Sequence, residues 1–217
     1  MADWVTISSL ATAGGTLVLA VATFSSVRSS NRSARVAELS LLTGLRPVLI
    51  PTKEEDPTES IRFGDGEVLH VAGHGGAIVI ASDIVYLAMG VRNGGQGVAV
   101  IHGWHAEPRD VDRANERPDL ESFRRQQIDI YIPPGDGGLW LGALRDSSEP
   151  IYAPVREAVE ADDALVLDLL YGDHEGGQRT IVRFILAPWA AEEGQDDSSA
   201  RRATVLRYWN VDRADPR

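Results

Sequence analysis

Ile84-Val85-Tyr86-Leu87-Ala88-Met89-Gly90-Val91-Arg92 runs into Asn93-Gly94-Gly95-Gln96-Gly97 and continues as Val98-Ala99-Val100-Ile101-His102-Gly103-Trp104-His105. Two apolar, β-branched runs separated by Asn-Gly form a strong short-range hairpin signal, because both residues tolerate the positive φ that a two-residue turn needs. The predicted element is a β-hairpin over 84–105, and a body built from such units is a β body.

Reading outward, the same signals recur. Pro47 to Pro51 reads as an edge strand bracketed by prolines, which cannot donate to a ladder. Ile61–Phe63 and Glu67–Val71 read as short strands around Gly64-Asp65-Gly66, and Gly73-His74-Gly75-Gly76 as a flexible loop. Glu107–Arg125 reads as a charged surface loop with a short helix after Pro118. Ile128, Ile130 and Ile132 alternate with Asp129 and Tyr131, the period of a half-buried strand. Pro133 to Gly138 turns the chain into a strand over Leu139–Leu144. Ala164–Tyr171 and Thr180–Leu186 make a second hairpin, Glu192–Ser199 is an acidic loop, and Arg202–Val211 is the last strand. One helical turn is expected at Val155–Val159. The predicted fold is mainly β, an antiparallel Ig-like β-sandwich over 46–213 with a tail at 214–217; a closed β-barrel is the alternative.

The N-terminal segment is of another kind. Trp4–Val27 holds 24 residues without a charged side chain. A bilayer core of ~30 Å needs about 20 such residues. Thr6, Ser8, Ser9, Thr12, Thr16 and Thr23 dilute it, but a hydroxyl can bond the helix's own carbonyls. The helix is expected to continue through a neck to Leu42, with Gly44 and Pro47 as stop signals. Residues 1–45 are thus predicted to be a transmembrane anchor and helical neck. A cleaved signal peptide fits less well: Met1-Ala2-Asp3 carries no Lys or Arg, and the apolar run passes the Ala20-Val21-Ala22 pattern. Ser8, Thr12, Thr16 and Ala20 form a small-residue stripe that would permit a weak homodimer. A weakly hydrophobic helix rich in Ala, Ser and Thr is the preferred reading of the stripe over a dimerisation face.

Arg28, Arg32 and Arg35 follow the span at i, i+4, i+7 and share one helical face. The positive-inside rule then puts the protein in the plasma membrane as a single-pass chain, N-terminus outside and C-terminal domain cytoplasmic, the reverse being the alternative. The same face can reach lipid phosphates. Net charge is −11, and residues after Arg46 carry nearly all of the acidic excess, which argues against nucleic acid as a partner. The expected partners are the lipid bilayer and a membrane-associated protein.

Chemistry is sparse. Cysteine is absent, which excludes disulfides and thiolate metal sites. His102 and His105 are three apart on a strand and point to opposite faces unless a bulge intervenes. His70 and His74 flank a glycine loop, and Asp129 and Asp168 lie in strands; these four are the weak pocket candidates. The plainer expectation for both aspartates is a solvent-facing carboxylate. No P-loop, dinucleotide fingerprint or G-x-S-x-G occurs, so no cofactor, metal or catalytic residue is assigned. The expectation is a membrane-anchored, non-enzymatic interaction or ligand-binding module. The alternatives are a hydrolase built from His70, His74, Asp129 and Asp168, and a membrane-tethered small-molecule sensor.

The runs Ala22-Thr23-Phe24, Arg28 to Glu38 and Gly44-Leu45-Arg46-Pro47, with Arg92 to Gly97 and Ile132-Pro133-Pro134-Gly135-Asp136, resemble segments of uncharacterised single-pass proteins of actinobacteria. The excess of Arg over Lys, 20 to 1, fits a high-G+C bacterial source. The resemblance covers about a third of the chain. It implies a membrane anchor with a β-rich soluble domain and brings no catalytic residue.

Overall fold

The computed structural model describes residues 3–189 and 199–214. The chain divides into two units, 1–44 and 45–217. Most of the acidic loop expected at Glu192–Ser199, and the tail beyond Ala214, lie outside the described residues.

The first unit is one helix, α1 (Trp4–Gly44), of 41 residues. It is long and apolar enough to cross a membrane. Its hydroxyls turn inward as expected: Thr12 donates to the Ser8 carbonyl at 2.9 Å, Thr16 to Thr12 at 2.9 Å and Thr23 to Leu19 at 2.7 Å. Each such bond satisfies a polar group that lipid could not solvate.

The second unit is mainly β. Its strands are β1 (Leu49–Pro51), β2 (Glu59–Arg62), β3 (Val68–Val71), β4 (Gly75–Ala81), β5 (Ile84–Asn93), β6 (Ala99–Pro108), β7 (Arg124–Ile132), β8 (Gly137–Leu144), β9 (Leu165–Gly172), β10 (Thr180–Pro188) and β11 (Ala200–Asn210), with one helix, α2 (Tyr152–Glu160), before β9. All pairings are antiparallel. β8 runs along one edge of β5, while β4 and β1 share the other. From β4 the sheet continues through β11, β10, β9 and β6 to β7. β7 and β8 are joined by a short turn, so the two ends of the path come back toward each other and the sheet curls into a half-barrel. At this seam the Gln126 side chain donates to the Leu141 carbonyl at 3.2 Å. Nine strands form this one curled sheet, and β2 and β3 form a separate two-stranded sheet; mainly β and antiparallel is what stands of the expected fold.

The predicted hairpin over 84–105 does not form. Both strands exist, but β5 pairs with β1, β4 and β8, and β6 pairs with β7 and β9. A tight Asn-Gly turn requires positive φ at both residues, and neither Asn93 nor Gly94 adopts it. Asn93 instead ends β5 fully buried. Its Oδ1 accepts from the backbone N–H of Val48 and Gly95, and its Nδ2 donates to the carbonyls of Gly97 and Ile132. Gly95 and Gly97 lie so close to the carbonyls of Arg46 and Leu45 that a Cβ at either would clash. The glycines let the entering chain cross, and the asparagine bonds it down.

The partner that β5 does take was hidden in the presumed loop at Gly73–Gly76. Gly73 and His74 do make a turn, but Gly75 and Gly76 open β4, and Ser82 and Asp83, both at positive φ, make the tight turn into β5. The β2–β3 hairpin forms around Gly64-Asp65-Gly66 as expected. With Ala77, Tyr86 and Ala88 it buries a second cluster around Phe63, Leu69 and Val71. β4 and β5 are therefore covered on both faces, which explains why 84–91 reads as a continuous apolar run. The main core holds Trp140, Tyr171 and Phe184 with Leu and Ile from eight strands and the apolar face of α2. Trp104 and Trp140 meet edge to face at 5.4 Å within it.

Candidate functional site

Three neighbouring strands place three polar side chains in one row. In the register, His105 of β6 and Arg183 of β10 both lie opposite Asp168 of β9. A bulge in β6 between Ile101 and Gly103 sets which side chains join the row. Ile101 packs in the core, and so do Trp104 and Ala106, so the alternation shifts by one across the bulge and turns His105 and Glu107 away from the core.

Asp168 is fully buried. The expectation of a solvent-facing carboxylate is overturned, because loop 109–123 lies over this part of the sheet. Arg183 meets it in a bidentate fork, Nε to Oδ1 at 2.8 Å and Nη2 to Oδ2 at 2.7 Å. The remaining guanidinium nitrogen donates to the carbonyls of Arg113 and Ala114 at 3.2 and 3.3 Å. Glu107 lies 3.6 Å from Nη2, and the imidazole Nδ1 of His105 lies 4.0 Å from Asp168 Oδ2. That nitrogen is buried and has no hydrogen-bond partner among the described residues. A cavity of about 160 Å³ opens above the cluster between His105, Glu107, Arg113, Glu116 and Ser122.

Burial pushes the Asp168 carboxyl up, against the pull of Arg183 and His105. For Arg183, burial works against the charge, and the carboxylates of Asp168 and Glu107 more than restore it. His105, Glu107 and Asp168 offer ligand atoms within 4.8 Å of one another, a donor set of the metal-binding type. The Arg183 guanidinium, however, bonds Asp168 and sits beside Glu107, so the cationic partner of these carboxylates is already an arginine. The arrangement is suited to fastening loop 109–123 onto the sheet through a buried charge pair.

The other sequence candidates lie elsewhere. His70, exposed on β3, bonds Ser60 at 2.9 Å. His74, at positive φ, takes its partners from Thr52: its backbone N–H donates to the hydroxyl, and its Nδ1 lies 3.1 Å from the carbonyl. Asp129 is exposed on β7 beside Arg125, Gln126 and Gln127. It acts electrostatically on His102, whose pKa is pushed down by burial with Asp129 opposing. The structure groups Asp168 with His105 and Glu107, not with His70, His74 or Asp129. Arg28, Arg32 and Arg35 are exposed together on α1.

The Asp168–Arg183 pair was readable in principle. Each is the lone charge inside an apolar strand of the predicted second hairpin, and matching the two strands outward from the turn sets them opposite each other. His105 and Glu107 were not, because the bulge that turns them outward leaves no mark in the alternation. No protein-family model matches the chain, and no curated protein matches it.

Proposed function

We propose that this chain is a single-pass, membrane-anchored protein whose β-rich body serves as a non-enzymatic interaction or ligand-binding module. The observation that carries the reading is α1. Leu17, Val18, Leu19 and Phe24 are 68–70% exposed on it, and an all-round apolar surface of this length finds its partner in lipid. The charge-free stretch of 24 residues spans about 36 Å at helical rise. The arginines at its C-terminal end favour the body on the cytoplasmic side and the N-terminus outside, in the plasma membrane.

The hydrolase reading is the weaker one, since both oxygens of Asp168 already accept from the Arg183 guanidinium. For an interaction module, the exposed edge of β7 is the natural contact. Ile128 and Tyr131 are 75% and 59% exposed there, and strand edges recruit extended partners.

Alkaline carbonate extraction of cells expressing the full chain, with reporters fused at either end, tests the anchor and its direction. The expected result is retention in the membrane with only the C-terminal reporter active in the cytoplasm. Release of the full chain into the soluble fraction sinks the reading. Photo-crosslinkers at positions 128 and 131 test the module: a discrete adduct is expected, and a chain that yields none from any exposed body position is not an interaction module.

A further inference from the structure

Arg28, Arg32 and Arg35 share a face of α1 with Phe24, Val27 and Asn31, and together these side chains line one shallow concavity on that helix. The three arginines have no hydrogen-bond or ion-pair partner among the described residues. Seven arginines of the body, by contrast, each have a carboxylate: Arg113, Arg124, Arg145, Arg156, Arg179, Arg183 and Arg201. The stretch 28–37 contains no acidic residue, and Ser29, Ser30, Asn31 and Ser33 add hydroxyl and amide groups around the guanidinium groups.

Placement along the helix fixes what this face meets. The charge-free stretch ends at Val27, and Arg28 to Arg35 covers roughly the next 12 Å. With the span centred in a bilayer, that is the depth of the headgroups on one side. Phe24 and Val27 then lie at acyl-chain depth directly below the first guanidinium. Uncompensated guanidinium groups over an apolar floor complement a phosphodiester carrying acyl chains.

We propose that the Phe24–Arg35 face is a binding site for anionic phospholipid, with Arg28, Arg32 and Arg35 holding the headgroup phosphate and Phe24 and Val27 the start of an acyl chain. The site rests on the reading of α1 as a membrane span. It gives the anchor a second role, selecting the lipid around it, beyond fixing topology. A juxtamembrane arginine contributes about a fivefold preference for anionic lipid, so three together give roughly 100-fold.

The test uses the full chain, purified in mild detergent from nanodiscs of mixed phosphatidylcholine and phosphatidylglycerol. Co-purifying lipid is counted by native mass spectrometry. The wild type is expected to retain phosphatidylglycerol over phosphatidylcholine, and the triple variant R28Q/R32Q/R35Q to lose that preference by about 100-fold, with each single variant losing about fivefold. Millimolar inorganic phosphate should leave the bound lipid in place. Equal retention of both lipids by the wild type overturns the proposal, and so does a triple variant that keeps its preference. Displacement by inorganic phosphate overturns it in favour of a site for the free ion. Carbonate extraction of the same two chains separates the failures: chains that stay in the membrane without lipid preference refute the site alone, while chains that leave it refute the anchor as well.

Discussion

Asn93 accepts from two backbone N–H groups and donates to two carbonyls, drawn from Val48, Gly95, Gly97 and Ile132. One amide thereby ties the entering chain, its own loop and β7 together. Asn93→Ala would strand these groups, some of them inside the core, at about 1–3 kcal/mol for each left unpaired. We expect about 3–5 kcal/mol of lost stability, measured as a lower denaturant midpoint by tryptophan fluorescence. The Asp168–Arg183 pair is the second residue-scale test. Removing one partner leaves the other charge buried, so Asp168→Ala should cost about 3–5 kcal/mol. The double variant Asp168→Leu/Arg183→Leu should cost clearly less than the sum of the two single variants, because it leaves no orphan charge. A double-mutant cycle that closes additively would show that the pair does not hold loop 109–123.

At the scale of elements, β7 shows where alternation misleads. Ile128, Ile130 and Ile132 have the period of one buried face, yet Ile132 is fully buried and Ile128 is 75% exposed. The ladder to β6 is interrupted between the pairs Ile101–Ile130 and Gly103–Arg125, so residues 126–129 leave the regular pleat. Ile132→Ala should therefore cost about 2–5 kcal/mol, and Ile128→Thr should fall within about 0.5 kcal/mol of wild type. Equal losses at the two positions would mean that β7 is buried along its length. The β9–β10 and β2–β3 hairpins, the long helix and the β character of the body were all legible, because each depends on local chemistry: turn residues, a charge-free run, a glycine stop. What stayed hidden was non-local. β4 begins with two glycines that read as a loop, and its strand identity comes from pairing with β5 and β11. The Asn93–Gly97 loop carries every local mark of a hairpin, but its role is set by Leu45 and Arg46, about fifty residues earlier in the chain. Of the site, the aspartate and its arginine partner were within reach of strand matching, and the histidine depended on a bulge.

For the whole molecule, acid is the most informative perturbation, because its carboxylates respond in opposite directions. Asp65 accepts from the Tyr86 hydroxyl at 2.6 Å and pairs with Arg145. Tyr86 first, then Arg145, lowers its pKa from 3.8 to about 2. Asp212, paired with Arg179, is lowered as well. A carboxylate lowered on folding contributes stability that is complete above its unfolded value and is lost as pH falls through the folded one. For Asp65 that window runs from about 4 down to about 2. Asp168 has the opposite sign: burial raises it, so the folded state holds its proton more tightly and loses stability as pH rises past 3.8. Below 3.8 Asp168 adds little slope, leaving Asp65, Asp212 and Asp146, which the Ser148 hydroxyl lowers, to shape the acid limb. Asp65 also joins the β2–β3 turn to Tyr86 of β5, so protonating it should loosen that hairpin from the sheet. Unfolding midpoints of the detergent-solubilised full chain, compared for wild type and Asp65→Asn between pH 6 and pH 2, test this reading. Above pH 4 the variant should be the less stable, and the two curves should converge as pH falls toward 2, where a proton does to the wild type what the substitution did to the variant. Curves that stay parallel over the whole range would show that the Asp65 carboxylate draws no stability from Tyr86 and Arg145.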